Sequence, residues 1–135
     1  MRRTLEIGLS GLLAIVLGAN ALAMLLAGPW WYGAVPGVTA TGPYNAHFIK
    51  DIGAIYLVCA ACLAAFAWRP AKAAPALAAA TAFLILHAAI HVADALVSPS
   101  CGADLVRDLP GIFLPALICA GLIASHLSQT EPRHA

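Results

Sequence analysis

Charge is what this chain has least of. Only 10% of its 135 residues are Asp, Glu, Lys or Arg, against about a quarter in soluble domains. The net charge is +1, so there is no basic excess of the kind that attracts nucleic acid. No Gly-rich phosphate loop, no G-x-S-x-G elbow and no serine triad occurs. That removes the usual signatures of nucleotide binding and of serine hydrolases. Internal repeats and low-complexity linkers are absent too. The glycines and prolines punctuate helix ends and loops instead.

What fills the chain is apolar sequence. Hydrophobic residues make up 62%, and the mean hydropathy is +0.89. A bilayer-spanning helix needs about 20 mostly apolar residues. Four segments qualify: Leu5–Ala27, Ala46–Trp68, Pro75–Val97 and Pro110–Leu127. The expected fold is all-α: a four-transmembrane-helix bundle running up-down-up-down, with residues 1–135 forming a single integral membrane domain. Arg2 and Arg3 before an apolar run also fit a secretory signal, with cleavage near Ala19-Asn20-Ala21 or Ala21-Leu22-Ala23. The run continues through Met24, Leu25 and Leu26, longer than a signal core, so an uncleaved first helix is preferred.

Positive charge sets the expected orientation. Arg2, Arg3, Arg69, Lys72 and Arg133 flank one side of a four-span arrangement, and Lys50 and Arg107 the other. Both termini are therefore expected in the cytoplasm of a bacterial inner membrane. The Gly28–Tyr44 loop, irregular and turn-rich by composition, and the Ser98–Leu109 loop then face outward. Trp30, Trp31, Tyr32 and Tyr44 would form an outer aromatic belt, with Trp68 as an inner anchor. Thr41 or Asn45 can cap the second helix. Small residues at Ala14 and Gly18, and at Ala19, Ala23 and Ala27, allow close helix approach. Asp104, Arg107 and Asp108 fall in a short interfacial turn. Pro110 or Pro115 starts or kinks the last helix.

The few ionisable residues inside these segments are not scattered. His87, His91 and Asp94 lie at i, i+4 and i+7, and His47 and Asp51 at i and i+4. Each set shares a helix face. Intramembrane ionisable groups are costly and usually pair, relay protons or bind ions. A short turn between Trp68 and Pro75 makes the second and third helices a hairpin. It brings His47 level with Asp94 and Asp51 level with His91, with His87 deeper near Tyr56. Imidazole and carboxylate together suit a transition metal such as Cu, Zn or Fe. The expected ligands are three or four of His47, Asp51, His87, His91 and Asp94, with Asn45 and Tyr56 placed to orient a histidine.

Two readings of this cluster follow. In the first it is an outward-facing metal site, serving a metal-dependent oxidoreductase with a lipid-soluble substrate or a metal-handling protein. In the second it is a His/Asp hydrogen-bond or proton-relay network in a non-enzymatic accessory or structural subunit. Whether the chain is an enzyme stays open. The partners expected are the lipid bilayer and further copies of the chain or a larger membrane complex, with no nucleic acid. Cys59-x-x-Cys62 has a redox spacing, but it lies deep in a helix and reads as small buried hydrophobes. Cys119 lies deep as well, and Cys101 is the exposed thiol. His126 and His134 read as interfacial or tail residues.

Pro43-Tyr44-Asn45-Ala46-His47-Phe48-Ile49-Lys50-Asp51-Ile52-Gly53, followed later by His87-Ala-Ala-Ile-His91, resembles the central motif of a group of small, uncharacterised bacterial four-helix membrane proteins. The resemblance covers mainly the second and third helices. It implies a shared site at Asn45, His47, Asp51, His87 and His91, and no particular activity. In helix number and size the chain is also similar to DoxX-like and anthrone-oxygenase-like membrane proteins.

Overall fold

The structure is a computed structural model that describes residues 2–130; Arg133 and His134 lie outside that range. It is a helical bundle built from α1 (Arg2–Leu26), α2 (Gly28–Ala34), α3 (Ala46–Trp68), α4 (Ala74–Val97), α5 (Cys101–Asp108) and α6 (Leu114–Thr130). Four helical stretches are long and apolar enough to cross a membrane: α1, α3, α4 and the continuous run from Cys101 to Gln129.

The ends of the long helices follow local chemistry. Asn45 caps α3, its side-chain oxygen accepting from the His47 and Phe48 N–H groups at 3.1 Å each. Two of the first-turn donors that a helix leaves unsatisfied are thereby paired. Arg69-Pro70 closes α3, because proline cannot continue the ladder. Pro75 occupies the first turn of α4, where no N–H is needed.

Helices α1 and α3 pack most intimately, through small residues. A Cβ on Gly53 would lie 3.0 Å from Met24 Cβ and 3.3 Å from the Ala21 carbonyl. Gly18 sits against Ala60, and Ser10 Oγ donates to the Leu63 carbonyl at 2.8 Å. The small-residue stripe that serves this seam is Ala14, Gly18 and Ala21; Ala19 is exposed. Tyr56 joins α3 to α4 by edge contacts with Phe83 and His87. Thr81 Oγ1 reaches the Cys119 carbonyl of α6 at 3.5 Å. Leu63, Phe66, Leu77 and Cys119 are fully buried at the centre.

Two connections differ from the sequence expectation. The segment after Gly28 is not irregular: it forms α2 and a 3₁₀ turn, Val38–Thr41. Pro29 starts a new helix instead of ending helical structure. Trp31 Nε1 donates to Asn20 Oδ1 at 2.8 Å, and Tyr32 Oη donates to the Gly42 carbonyl. These bonds turn both rings inward, so the expected belt keeps exposed rings at Trp30 and Tyr44 only. The second difference is at the Ser98–Leu109 stretch. It is largely helical and runs into α6 through a π-helical turn, Leu109–Phe113. Pro110, which lacks an N–H, sits in that turn, where a widened helix absorbs the missing bond.

Candidate functional site

The site forms where α5 folds against the end of α4. His87 and His91 are one turn apart on α4, with ring centroids 4.8 Å from each other. His87 stacks on Phe83 one turn further in, at 5.7 Å, and meets the edge of Tyr56 at 5.8 Å. His91 Nδ1 lies 2.7 Å from Asp108 Oδ2. The Asp108 side chain is 9% exposed, against 30% for His91.

The remaining acceptor capacity of Asp108 is taken by its neighbour. Arg107 Nε donates to Asp108 Oδ1 at 2.7 Å, and its NH2 group donates to Oδ2 at 3.2 Å. The other guanidinium arm donates to Asp104 Oδ1 at 2.7 Å. Asp104 Oδ2 accepts from Ser98 Oγ at 2.6 Å and Ser100 Oγ at 3.1 Å. The result is one polar ladder from the aromatic interior to the end of the bundle. Gly37 closes it from above. Its φ is +85°, and a Cβ there would fall 2.5 Å from Arg107 Nε. Only glycine allows the loop both that backbone and that approach.

The chemistry of this ladder is that of an oriented imidazole. A carboxylate flanked by a guanidinium accepts hydrogen bonds, so His91 Nδ1 is the donor. Nε2 of the neutral ring then carries the lone pair. A carboxylate on one imidazole nitrogen fixes the tautomer and the orientation of the ring. His91 is thus arranged as a base, with a second imidazole in ring contact.

The sequence-expected set is not brought together as one cluster. His47 pairs with Asp51 on its own helix at 3.5 Å, with side chains 90% and 61% exposed. Lys50 and Asp94 are exposed as well. The matched depths do not bring the two sets face to face, because α3 is rotated by its seam with α1. Ile49 and Gly53 are buried there, and His47 and Asp51 each precede one of them by two residues, about 200° around the helix. Among the described residues, no three His, Cys, Asp or Glu side chains converge as a ligand set. Asn45 is a cap, its carboxamide oxygen committed to backbone. Tyr56 meets His87 by an edge ring contact. His126 packs its ring on Phe66 at 5.2 Å.

No protein-family model, no curated protein and no solved structure matches the chain. The motif resemblance therefore stands on its own residues.

The two residues that hold His91 from α5, Asp108 and Arg107, escaped the sequence reading as site members, as did Asp104, Ser98 and Ser100 further along the ladder. Asp104, Arg107 and Asp108 lie in a stretch read as an interfacial turn. The signal that could have found them is helical spacing: Ser100, Asp104 and Asp108 recur every four residues, with Arg107 at i+3 from Asp104. Outside the ladder, Glu6 also went unread: it is 5% exposed in α1 and accepts from Ser125 and Gln129 of α6. A lone carboxyl in an apolar run, five residues from the chain start, offered no pattern to pair it with.

Proposed function

We propose that this chain is a small multi-pass protein of the bacterial inner membrane whose centre is a metal-free acid–base site. His91 is the base, Asp108 orients it, and His87 receives or supplies the proton beside it. The helices cross up-down-up-down with both termini cytoplasmic, and the site faces outward. In this role the chain handles protons within the membrane, as an accessory subunit or on a lipid-soluble substrate. The observation that carries the reading is the 2.7 Å His91–Asp108 bond with His87 in ring contact. The competing metal reading needs three or four converging ligands, and the five candidates meet only as two separate pairs, His87 with His91 and His47 with Asp51.

Imidazole ¹⁵N NMR of the purified chain, titrated with pH, tests the reading. His91 is expected as the Nδ1–H tautomer at high pH, and Asp108→Asn is expected to abolish that preference. Added zinc, copper or iron salts are expected to leave the His87 and His91 signals in place. A metal-bound signature lost in a His87/His91 double-alanine variant would overturn the acid–base reading in favour of the metal one. A His91 ring found as the Nε2–H tautomer in the unaltered chain would overturn it outright.

A further inference from the structure

Glu6 is the buried ionisable group that the His91 site does not use. Its carboxylate is held from α6, where Ser125 Oγ and Gln129 Nε2 both donate to Oε1. Both partners are neutral, and among the described residues no ion pair joins Glu6 to a cation. Neutral donors alone are poor compensation for a carboxylate taken out of water. Beside it a groove of about 360 Å³ opens between α1 and α6, within the range of small-molecule sites. Leu5, Leu9, Ile118 and Leu122 form its apolar walls. Arg2, one helical turn from Glu6, lines the same groove. A Cβ on Gly121, also in the lining, would meet nothing within 4 Å, so this wall is left open.

We propose that the groove binds an aminophospholipid, with the primary ammonium on Glu6, the phosphate on Arg2 and an acyl chain between the apolar walls. The charges are complementary in kind and number: one carboxylate for one ammonium, one guanidinium for one phosphate. A headgroup with both charges on a short carbon arm matches two side chains one helical turn apart that line the same groove. Charge-assisted N–H bonds to a carboxylate are the strong ones. A choline headgroup has no N–H to give, so it is discriminated against at Glu6. A small inorganic cation would satisfy Glu6 but leave the apolar walls and Arg2 without a role.

The test uses the full chain purified in detergent and exchanged with equal amounts of phosphatidylethanolamine and phosphatidylcholine of identical acyl chains. Retained lipid is counted by native mass spectrometry. The ethanolamine lipid is expected to be favoured about tenfold, the scale of one charge-assisted hydrogen bond. Glu6→Gln keeps an oxygen to accept from Ser125 and Gln129, and it is expected to erase the preference. Gly121→Phe fills the groove away from the charges, and it is expected to reduce retention of both lipids. Equal retention of the two lipids by the unaltered chain overturns the proposal. So does an undiminished preference in Glu6→Gln, or full retention in Gly121→Phe. Should Glu6→Gln not fold, the unaltered chain and Gly121→Phe still decide the matter. The His91 site is at other helices, so failure here leaves the acid–base reading standing.

Discussion

Two His–Asp pairs in this chain look alike on paper and differ in every physical respect. His47–Asp51 is 3.5 Å long, lies within one helix and is exposed on both sides. Such pairs are worth a few tenths of a kcal/mol. His91–Asp108 is 2.7 Å long, joins two helices and leaves the carboxylate almost wholly buried. Removing one partner of a buried hydrogen bond strands the other, at about 1–3 kcal/mol. Paired alanine variants are therefore expected to separate. His47→Ala with Asp51→Ala should stay within about 0.5 kcal/mol of the parent in denaturant unfolding. His91→Ala should lose about 1–3 kcal/mol, with Arg107 holding Asp108 and limiting the loss. Equal losses from the two pairs would mean that the bond between α4 and α5 carries no special weight.

Among the elements, α1 and α3 decide how the rest is arranged. Gly53 lets α3 come within van der Waals contact of Met24, Leu25 and the Ala21 backbone. Adding side chain there overpacks the seam, which costs about 1–3 kcal/mol. Gly53→Val is expected to lower stability by that amount, measured by unfolding, while Gly8→Val, in open space on α1, changes it little. The same seam explains what was legible in the sequence. The spans of α1, α3 and α4 follow from apolar length and from Asn45, Pro70 and Pro75, all local signals. The depth of His87 beside Tyr56 follows from the short turn. The rotation of α3 about its own axis does not, because it is set by which small residues meet across α1, a pairing between distant parts of the chain. That rotation sends His47 and Asp51 outward. The partner of His91 was hidden for a related reason. Pro110 reads as the start of the last helix, yet a π-helical turn carries the helical chain through it from α5 and lets α5 lay Asp108 on α4.

At the scale of the whole molecule, orientation in the membrane links the two sites. The His91 ladder and the Glu6 groove occupy different ends of the described helices: Asp108 lies near the α4–α5 junction, and Glu6 in the second turn of α1 beside the end of α6. In a four-span arrangement they face opposite sides, so orientation decides which of them meets the cytoplasm. The proposed orientation, with the α5 end outside, rests on the five-to-two bias of Lys and Arg in the sequence. Cys101 is the natural reporter, since it is half-buried and opens α5 at the end of the bundle, whereas Cys59 and Cys119 are buried and Cys62, also half-buried, lies well inside the apolar span of α3. A membrane-impermeant maleimide applied to intact cells is expected to label Cys101, and Cys101→Ser is expected to remove that label. Labelling confined to inverted vesicles would reverse the orientation. The acid–base site would then draw its protons from the cytoplasm, and the Glu6 groove would open to the outer leaflet. The chemistry at His91 would survive that reversal, because it rests on Asp108 and Arg107 and on nothing across the membrane.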